Sequence, residues 1–132
     1  MSDESTTSIR WEKDVAPHDF EAALAYLSLR FDEDRAEKLV KRLQVAEITH
    51  RRANDVLRAC NREPLGLDDP GVRRDLVTIA RGKKLSPVLV VYDEDGGPDI
   101  ADGYHRVSLA YRLDPFATIP LRIAASDVKR EK

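Results

Sequence analysis

The sequence predicts an α+β fold, with helices in its first half and a small mixed sheet in its second. Up to about residue 80, most apolar residues recur at the spacing of one helix face. From Pro87 to Tyr92 this changes to a continuous apolar and β-branched run, which is typical of a strand covered on both faces. Ile119, Leu121 and Ile123 then alternate with other residues, as in a strand with one polar face.

Two helices are expected first, and they form a hairpin within an N-terminal extension, residues 1–47. The first helix begins at about His18, after Pro17, whose missing N–H costs nothing in a first turn. The second runs from about Asp34 to Val45, with Asp32 as its N-cap. Neither helix shows a pattern that indicates chemistry. Binding of another protein is the function left open for this extension.

The α+β core is predicted over residues 48–124, followed by a charged tail at 125–132. Its longest helix starts where Asp69 can cap it and Pro70 can occupy the first position, and Gly82 ends it. The other boundaries follow from changes of hydrophobic period and from turn residues. In chain order, the core elements are expected at 48–49, 54–60, 70–81, 87–92, 98–101, 103–113 and 119–123.

Length and composition limit the class of protein. A chain of 132 residues fits a single domain, residues 1–132, that can bury a core without staples. A net charge of −2 provides no global field toward nucleic acid or membrane. One cysteine, Cys60, excludes an intrachain disulfide. No apolar stretch has the length of a membrane span, and the polar N-terminus lacks a secretory signal, so we expect a cytoplasmic protein.

Candidate chemistry concentrates in one turn between a strand and a helix, Asp102-Gly103-Tyr104-His105-Arg106. Gly103 has no Cβ, so a ligand can approach its backbone closely. The unpaired N–H groups of the first helical turn, with the positive end of the helix dipole, attract an anion. His105 and Arg106 add donors, and a guanidinium can hold a phosphate through two parallel hydrogen bonds. The turn therefore predicts a phosphate site.

Two residues of the turn have two interpretations each. Asp102 can cap the helix, or it can act as the general base of a kinase or nuclease reaction. Tyr104 can stack on a base or ribose, or it can pack beside Tyr111 on the same helix face. No set of His, Asp and Glu has the spacing of a metal site, although Asp99, Asp102 and the acidic residues 93–95 can loosely hold the magnesium of a nucleotide.

The stretch LSPVLVVYDEDGGPDIADGYHRVSLAYRLDPFATIPLRI resembles the core of the ParB/sulfiredoxin superfamily. There a helix precedes an apolar strand, a hairpin, a glycine turn with His-Arg or Arg-Arg, a helix and a final strand. The resemblance extends over about residues 48–123. It implies a ParB/sulfiredoxin-like mixed sheet whose turn holds the phosphates of a nucleoside triphosphate with Mg²⁺. By position, Gly103, His105 and Arg106 match the phosphate-holding residues, and Thr78 matches a polar nucleotide contact on the preceding helix.

Departures from the family limit what the resemblance implies. Tyr104 stands where sulfiredoxin has its catalytic cysteine, and a phenol cannot replace a thiolate in reducing a sulfinic acid, so we do not expect that activity. Partition proteins of the family continue into a helix-turn-helix domain and a dimerisation segment. This sequence ends soon after Ile123, and we do not expect their DNA-clamp role.

The sequence therefore predicts a nucleotide-binding protein of the ParB/sulfiredoxin-like group. Whether it also hydrolyses the nucleotide or transfers a phosphoryl group is left open. One alternative is a non-enzymatic interaction module with a vestigial pocket. The other is a nuclease or DNA-associated protein that uses a local cluster of arginines, namely Arg51, Arg52, Arg58 and Arg62.

Overall fold

The computed structural model describes residues 9–93 and 97–126. Within these ranges the chain forms five helices and four strands. In chain order they are α1 (Pro17–Arg30), α2 (Glu33–Val45), β1 (Thr49–Arg52), α3 (Ala53–Ala59), α4 (Pro70–Ala80), β2 (Val88–Asp93), β3 (Gly97–Asp102), α5 (Tyr104–Leu113) and β4 (Thr118–Ala125). The α+β class predicted from the sequence is confirmed.

The four strands form one mixed sheet in the order β1-β4-β2-β3. The central pair, β2 and β4, is parallel, with Val88 opposite Leu121 and Val90 opposite Ile123. Both outer strands pair antiparallel with their neighbours. The parallel pair needs a long connection on one face of the sheet, and the chain supplies β3 and α5 between β2 and β4.

Helices cover both faces of the sheet. On one face, Leu89 and Val91 pack in a core cluster with residues of α1 and α2. On the other, Val88 and Val90 pack with residues of α3 and α5. Successive side chains of a strand point to opposite faces, so β2 needs apolar residues at consecutive positions. The run that the sequence assigned to a doubly covered strand is therefore confirmed.

Helix starts follow the predicted capping chemistry in two places. Asp32 caps α2 by accepting a hydrogen bond from the backbone N–H of Arg35 at 2.8 Å. Asp69 caps α4 by accepting from the N–H groups of Gly71 and Val72, with Pro70 at the first helical position. Helix α4 then packs against α5 through a third small cluster of buried residues, Val72, Leu85 and Leu109.

Several boundaries differ from the prediction. The first strand runs over Thr49–Arg52 instead of 48–49, because its backbone pairs with β4 as far as Arg52 opposite Thr118. The next helix begins directly at Ala53. The first helix ends at Arg30, with Phe31 as its C-cap. Parts of the acidic turn (94–96) and of the charged tail (127–132) lie outside the described residues.

A buried carboxylate fastens the N-terminal hairpin to the edge of the sheet. Asp99 of β3 is 5% exposed and accepts hydrogen bonds from Tyr26 Oη at 2.6 Å, Arg30 Nη1 at 2.5 Å and Arg62 Nη2 at 3.2 Å. Burial alone would raise the pKa of Asp99, but the hydrogen bonds from Tyr26 and Arg30 outweigh it and the pKa is lowered. Asp99 therefore stays ionised and holds α1 against β3.

Candidate functional site

A cleft of about 460 Å³ opens where the start of α1, one side of α4 and the turn after β3 meet. Five of the six residues that the sequence assigned to the site line this cleft: Thr78, Asp102, Gly103, His105 and Arg106. The sixth, Tyr104, is not among the lining residues. The cleft also takes in residues that the sequence analysis did not consider as partners of the turn, above all Asp19 of α1 and Asp75 of α4.

The N-termini of two helices point into this cleft. Helix α5 has Gly103 as its N-cap and α1 has Ala16, and neither N-cap makes a side-chain cap hydrogen bond. At α1, Pro17 has no N–H, the Asp19 N–H donates to the Ala16 carbonyl at 2.9 Å, and the Asp19 side chain adds an acidic group to the first turn. The first turn of α5 contains no acidic residue. Because first-turn N–H groups have no intrahelical acceptor and carry the positive end of the helix dipole, this end of the cleft favours an anion.

Asp102 does not cap α5, which rules out one of its two interpretations. The N-cap is Gly103, and the Asp102 carboxylate instead accepts a hydrogen bond from Arg106 Nη2 at 2.7 Å. Gly103 has a left-handed backbone with φ 108°, and an added Cβ would lie 2.9 Å from Arg106 Nη2 and 3.0 Å from Val88 Cγ2. The glycine is thus required both by its backbone conformation and by the close approach of Arg106.

Arg106 connects three segments of the chain across the back of the cleft. Its Nη1 donates to Asp19 Oδ2 at 3.0 Å and to the Ser86 carbonyl at 3.0 Å, and its Nη2 donates to Asp102. The side chain is 12% exposed. Two carboxylates already neutralise the guanidinium, so Arg106 holds the surrounding segments in place and has little charge left to attract a ligand.

Two carboxyl groups that line the cleft, those of Asp102 and Asp75, each have a raised pKa. Burial raises the pKa of Asp102, and Asp19 raises it further while Arg106 opposes the shift. Burial also raises the pKa of Asp75, against the attraction of Arg106, His105 and Arg74. Perturbed carboxyls in a cleft are typical of functional sites. Unlike Asp102, the Asp75 side chain makes no hydrogen bond or salt bridge with any described residue.

His105 lies against the start of α4. An added Cβ at Gly71 would lie 2.4 Å from His105 Cδ2, so the imidazole rests directly on the glycine backbone. Its Nε2 is 3.5 Å from Asp69 Oδ2, the carboxylate that caps α4. This contact holds the ring at the cleft wall. On the same helix Thr78 Oγ donates to the Arg74 carbonyl at 3.0 Å, which leaves the hydroxyl oxygen as an acceptor.

Tyr104 is half-buried, does not line the cleft, and packs against the core. Its hydroxyl donates to the Glu63 carbonyl, and its ring lies under the Arg62 guanidinium, 5.0 Å from Cζ to the ring centroid. The ring also packs against the cluster that contains Val107 and Ala110. This placement favours the packing interpretation of Tyr104 over stacking on a base.

The cluster of arginines proposed for DNA is occupied by contacts within the chain. Arg62 binds Asp99, and Arg58 lies 3.7 Å from Asp55. Arg51 donates to Thr49 Oγ1 and to the His50 carbonyl, and Arg52 lies over the Phe116 ring. These contacts do not favour a site for a nucleic-acid backbone.

In residues 9–93 and 97–126, no group of three or more His, Cys, Asp and Glu side chains is arranged to hold a metal ion. The same ranges contain no helix with the length and apolar character needed to cross a membrane. Comparison with protein-family models, with curated proteins and with solved structures finds no match for this chain.

The sequence analysis did not assign Asp19 to the site, because capping or solvation is the default role of an acidic residue at a helix start. A signal was nevertheless present. Asp19 precedes Ala23 by four positions and Leu27 by eight, so it shares the buried face of α1 with them. It is 6% exposed. A charged residue on the apolar face of a helix predicts a buried partner, which here is Arg106.

Proposed function

We propose that this protein binds a nucleotide through its phosphates in the cleft between α1, α4 and α5, and that it belongs to the ParB/sulfiredoxin-like group. The observation that carries the proposal is the α5 N-terminus, which has no side-chain cap and no acidic residue in its first turn, in a cleft of about 460 Å³ that Arg74 and Lys84 also line. A volume of that size suits a small ligand.

The phosphates rest on the first-turn N–H groups of α5. The side chains of Arg74 and Lys84 are exposed, line the same cleft, and form no hydrogen bond or salt bridge with another described residue, so both are available to an anion. His105 offers a further donor at the wall. Arg106 is a positioning residue here, because its donors are bound to Asp19, Asp102 and Ser86.

The order of elements supports membership of the ParB/sulfiredoxin-like group. A helix, an antiparallel strand pair, a glycine turn, a helix and a parallel strand follow one another over α4–β4, which is the order that the resemblance implies. The turn lies at the junction of β3 and α5, as a phosphate-holding turn of that kind requires.

The carboxylates of the cleft do not fit a magnesium site of the protein. Asp19 and Asp102 both bind Arg106, which leaves no cluster of oxygen ligands among the described residues. The same pairing occupies Asp102, the candidate general base. The proposal is therefore one of binding, and no chemical step is derived from Asp102.

Isothermal titration with ATP, CTP, GTP and inorganic pyrophosphate tests the proposal. A double variant, Arg74→Met with Lys84→Met, removes the two available cations and should weaken binding by more than about tenfold, since a charge-assisted hydrogen bond contributes about 1.5–3 kcal/mol. The matched control is Arg73→Met with Lys83→Met, because these neighbours are exposed and do not line the cleft.

The control variant should stay within about threefold of the wild type at physiological salt, where distant surface charges are screened. Binding of no probe by the folded wild-type protein would refute the proposal. Equal losses in the two double variants would also refute it, because the effect would then come from overall charge and not from the cleft.

A further inference from the structure

Asp75 is a carboxyl group that the proposed phosphate site does not explain. It lies on α4, lines the same cleft, and has no hydrogen bond or salt bridge within the described chain. A partly buried carboxylate without a donor carries a desolvation cost, and a phosphate placed nearby adds repulsion. The negative charge of Asp75 would therefore oppose the binding of a ligand that consists of phosphate alone.

We infer that the ligand carries hydroxyl groups beside its phosphate, and that Asp75 accepts a hydrogen bond from one of them. The chemistry is that of a sugar phosphate, either the ribose of a ribonucleotide or a free pentose phosphate. This inference rests on the proposed function, because it assigns the second half of the same ligand.

The surroundings of Asp75 select a neutral donor over a cationic one. Burial and the Asp19 carboxylate raise the pKa of Asp75, with burial the larger effect, whereas the positive charges of Arg106 and Arg74 and the imidazole of His105 oppose the shift. An ammonium group on the ligand would be repelled by these cations, whereas a hydroxyl would not. A hydroxyl also supplies the hydrogen bond that the carboxyl lacks.

Thr78 provides a second acceptor on the same wall. It lies three positions after Asp75 on α4, so the two side chains share one helix face. Because its hydroxyl hydrogen is donated to the Arg74 carbonyl, its oxygen is left to accept from the cleft. Along α4 the cleft thus presents acceptors suited to sugar hydroxyls, while the start of α5 presents donors suited to phosphate.

Titration of the wild-type protein, Asp75→Ala and Asp75→Asn with four probes tests this inference. The probes are AMP, 2′-deoxy-AMP, ribose 5-phosphate and inorganic phosphate. Asp75→Ala should weaken binding of AMP and ribose 5-phosphate by about tenfold or more, the loss of one charge-assisted hydrogen bond. The same variant should bind inorganic phosphate as well as the wild type or up to about fivefold better, because a repulsive charge is gone. Asp68→Ala, an exposed acid outside the cleft lining, is the matched control.

The probes also separate the two sources of the hydroxyls. A ribonucleotide ligand predicts that AMP binds more tightly than 2′-deoxy-AMP and ribose 5-phosphate, and a free sugar phosphate predicts that ribose 5-phosphate equals AMP. If Asp75→Ala changes all four affinities by the same factor, the hydroxyl contact is wrong while phosphate binding stands. If the wild type binds none of the probes and no nucleotide, the proposed function fails and this inference fails with it.

Discussion

Replacing Arg106 with methionine tests how the cleft is built, because methionine keeps much of the length of the side chain and removes its charge and donors. Arg106 is 12% exposed at its side chain and bonds to Asp19, Ser86 and Asp102. The substitution leaves a nearly buried carboxylate, Asp19 at 6% exposure, with only the exposed imidazole of His18, 3.3 Å from its Oδ1, as a partner.

Removing one partner of a buried ion pair costs about 3–5 kcal/mol. The Asp102 side chain is 20% exposed and can take water in place of the guanidinium, so we expect a loss near the lower end, about 3 kcal/mol. For a domain of this size that loss lowers the melting temperature by about 10 °C. It remains below the total stability of about 7–20 kcal/mol expected for such a chain, so the variant stays folded at 25 °C.

Urea unfolding at pH 7 measures the loss, and Arg58→Met is its matched control. Arg58 also faces a carboxylate, Asp55, at 3.7 Å, but the two side chains are 75% and 54% exposed. Such a pair contributes about 0.5 kcal/mol or less. A loss below about 1 kcal/mol for Arg106→Met, or a loss equal to that of the control, would show that Arg106 is not the centre of a buried ion cluster.

The pH dependence of the same variant gives a second check. Burial already raises the pKa of Asp102 and Arg106 opposes that shift, so removing Arg106 raises the pKa of Asp102 further. A carboxyl whose pKa in the folded state lies above its unfolded value destabilises the fold at neutral pH, and the penalty disappears as the pH falls through the folded pKa. The difference between wild type and Arg106→Met should therefore shrink in acid.

Two further substitutions separate other contributions to the fold. Asp99→Asn should lower the free energy of unfolding by about 2–4 kcal/mol at pH 7. Because the pKa of Asp99 is lowered, the stabilisation it provides exists above its unfolded pKa of about 3.9 and is lost as the pH falls through the folded pKa. Urea unfolding that shows the same loss at pH 7 and pH 2 would contradict the assignment. Gly103→Ala should be more destabilising than Gly97→Ala in thermal unfolding. Both glycines have positive φ, but only at Gly103 would an added Cβ lie within 4 Å of other atoms. Equal losses in the two variants would rule out the close approach of Arg106.

The sequence predicted those elements whose signals are local or depend on burial alone. The strand β2 could be predicted because a strand buried on both faces needs apolar residues at consecutive positions. The starts of α2 and α4 were visible because Asp32 and Asp69 cap them through bonds to residues two or three positions ahead.

The extent of β1 could not be predicted, because its stability does not come from its side chains. Its residues Thr49–Arg52 are polar and mostly exposed, and the strand is defined by backbone pairing with β4, about seventy positions away. Propensity and periodicity contain no information on a partner at that distance. The prediction for β1 was therefore too short, and the predicted start of the following helix was one residue too late.

The site was predicted in its position and not in its internal contacts. A glycine at a strand–helix junction is a local signal, so the turn at Gly103 could be identified. The role of Asp102 depends on which of two donors its carboxylate accepts from, a backbone N–H of α5 or the Arg106 guanidinium, and the left-handed φ of 108° at Gly103 makes the glycine itself the N-cap. The carboxylate of Asp102 is then free to bind Arg106, four positions later on the chain.

The N-terminal hairpin is a wall of the cleft and not an appendage of the core. Two separate buried ion clusters join it to the sheet: Asp19 to Arg106 at one end of α1, and Arg30 to Asp99 at the other. The first pairs Asp19 with Arg106 of α5, and the second pairs Arg30 with Asp99 of β3. Moving the hairpin away would therefore break one ion pair at each end of α1, and Arg106 would keep only Asp102 and Asp99 only Arg62. Because the start of α1 that is fixed in this way lines the same cleft as the α5 N-terminus, the position of the hairpin determines the shape of that cleft.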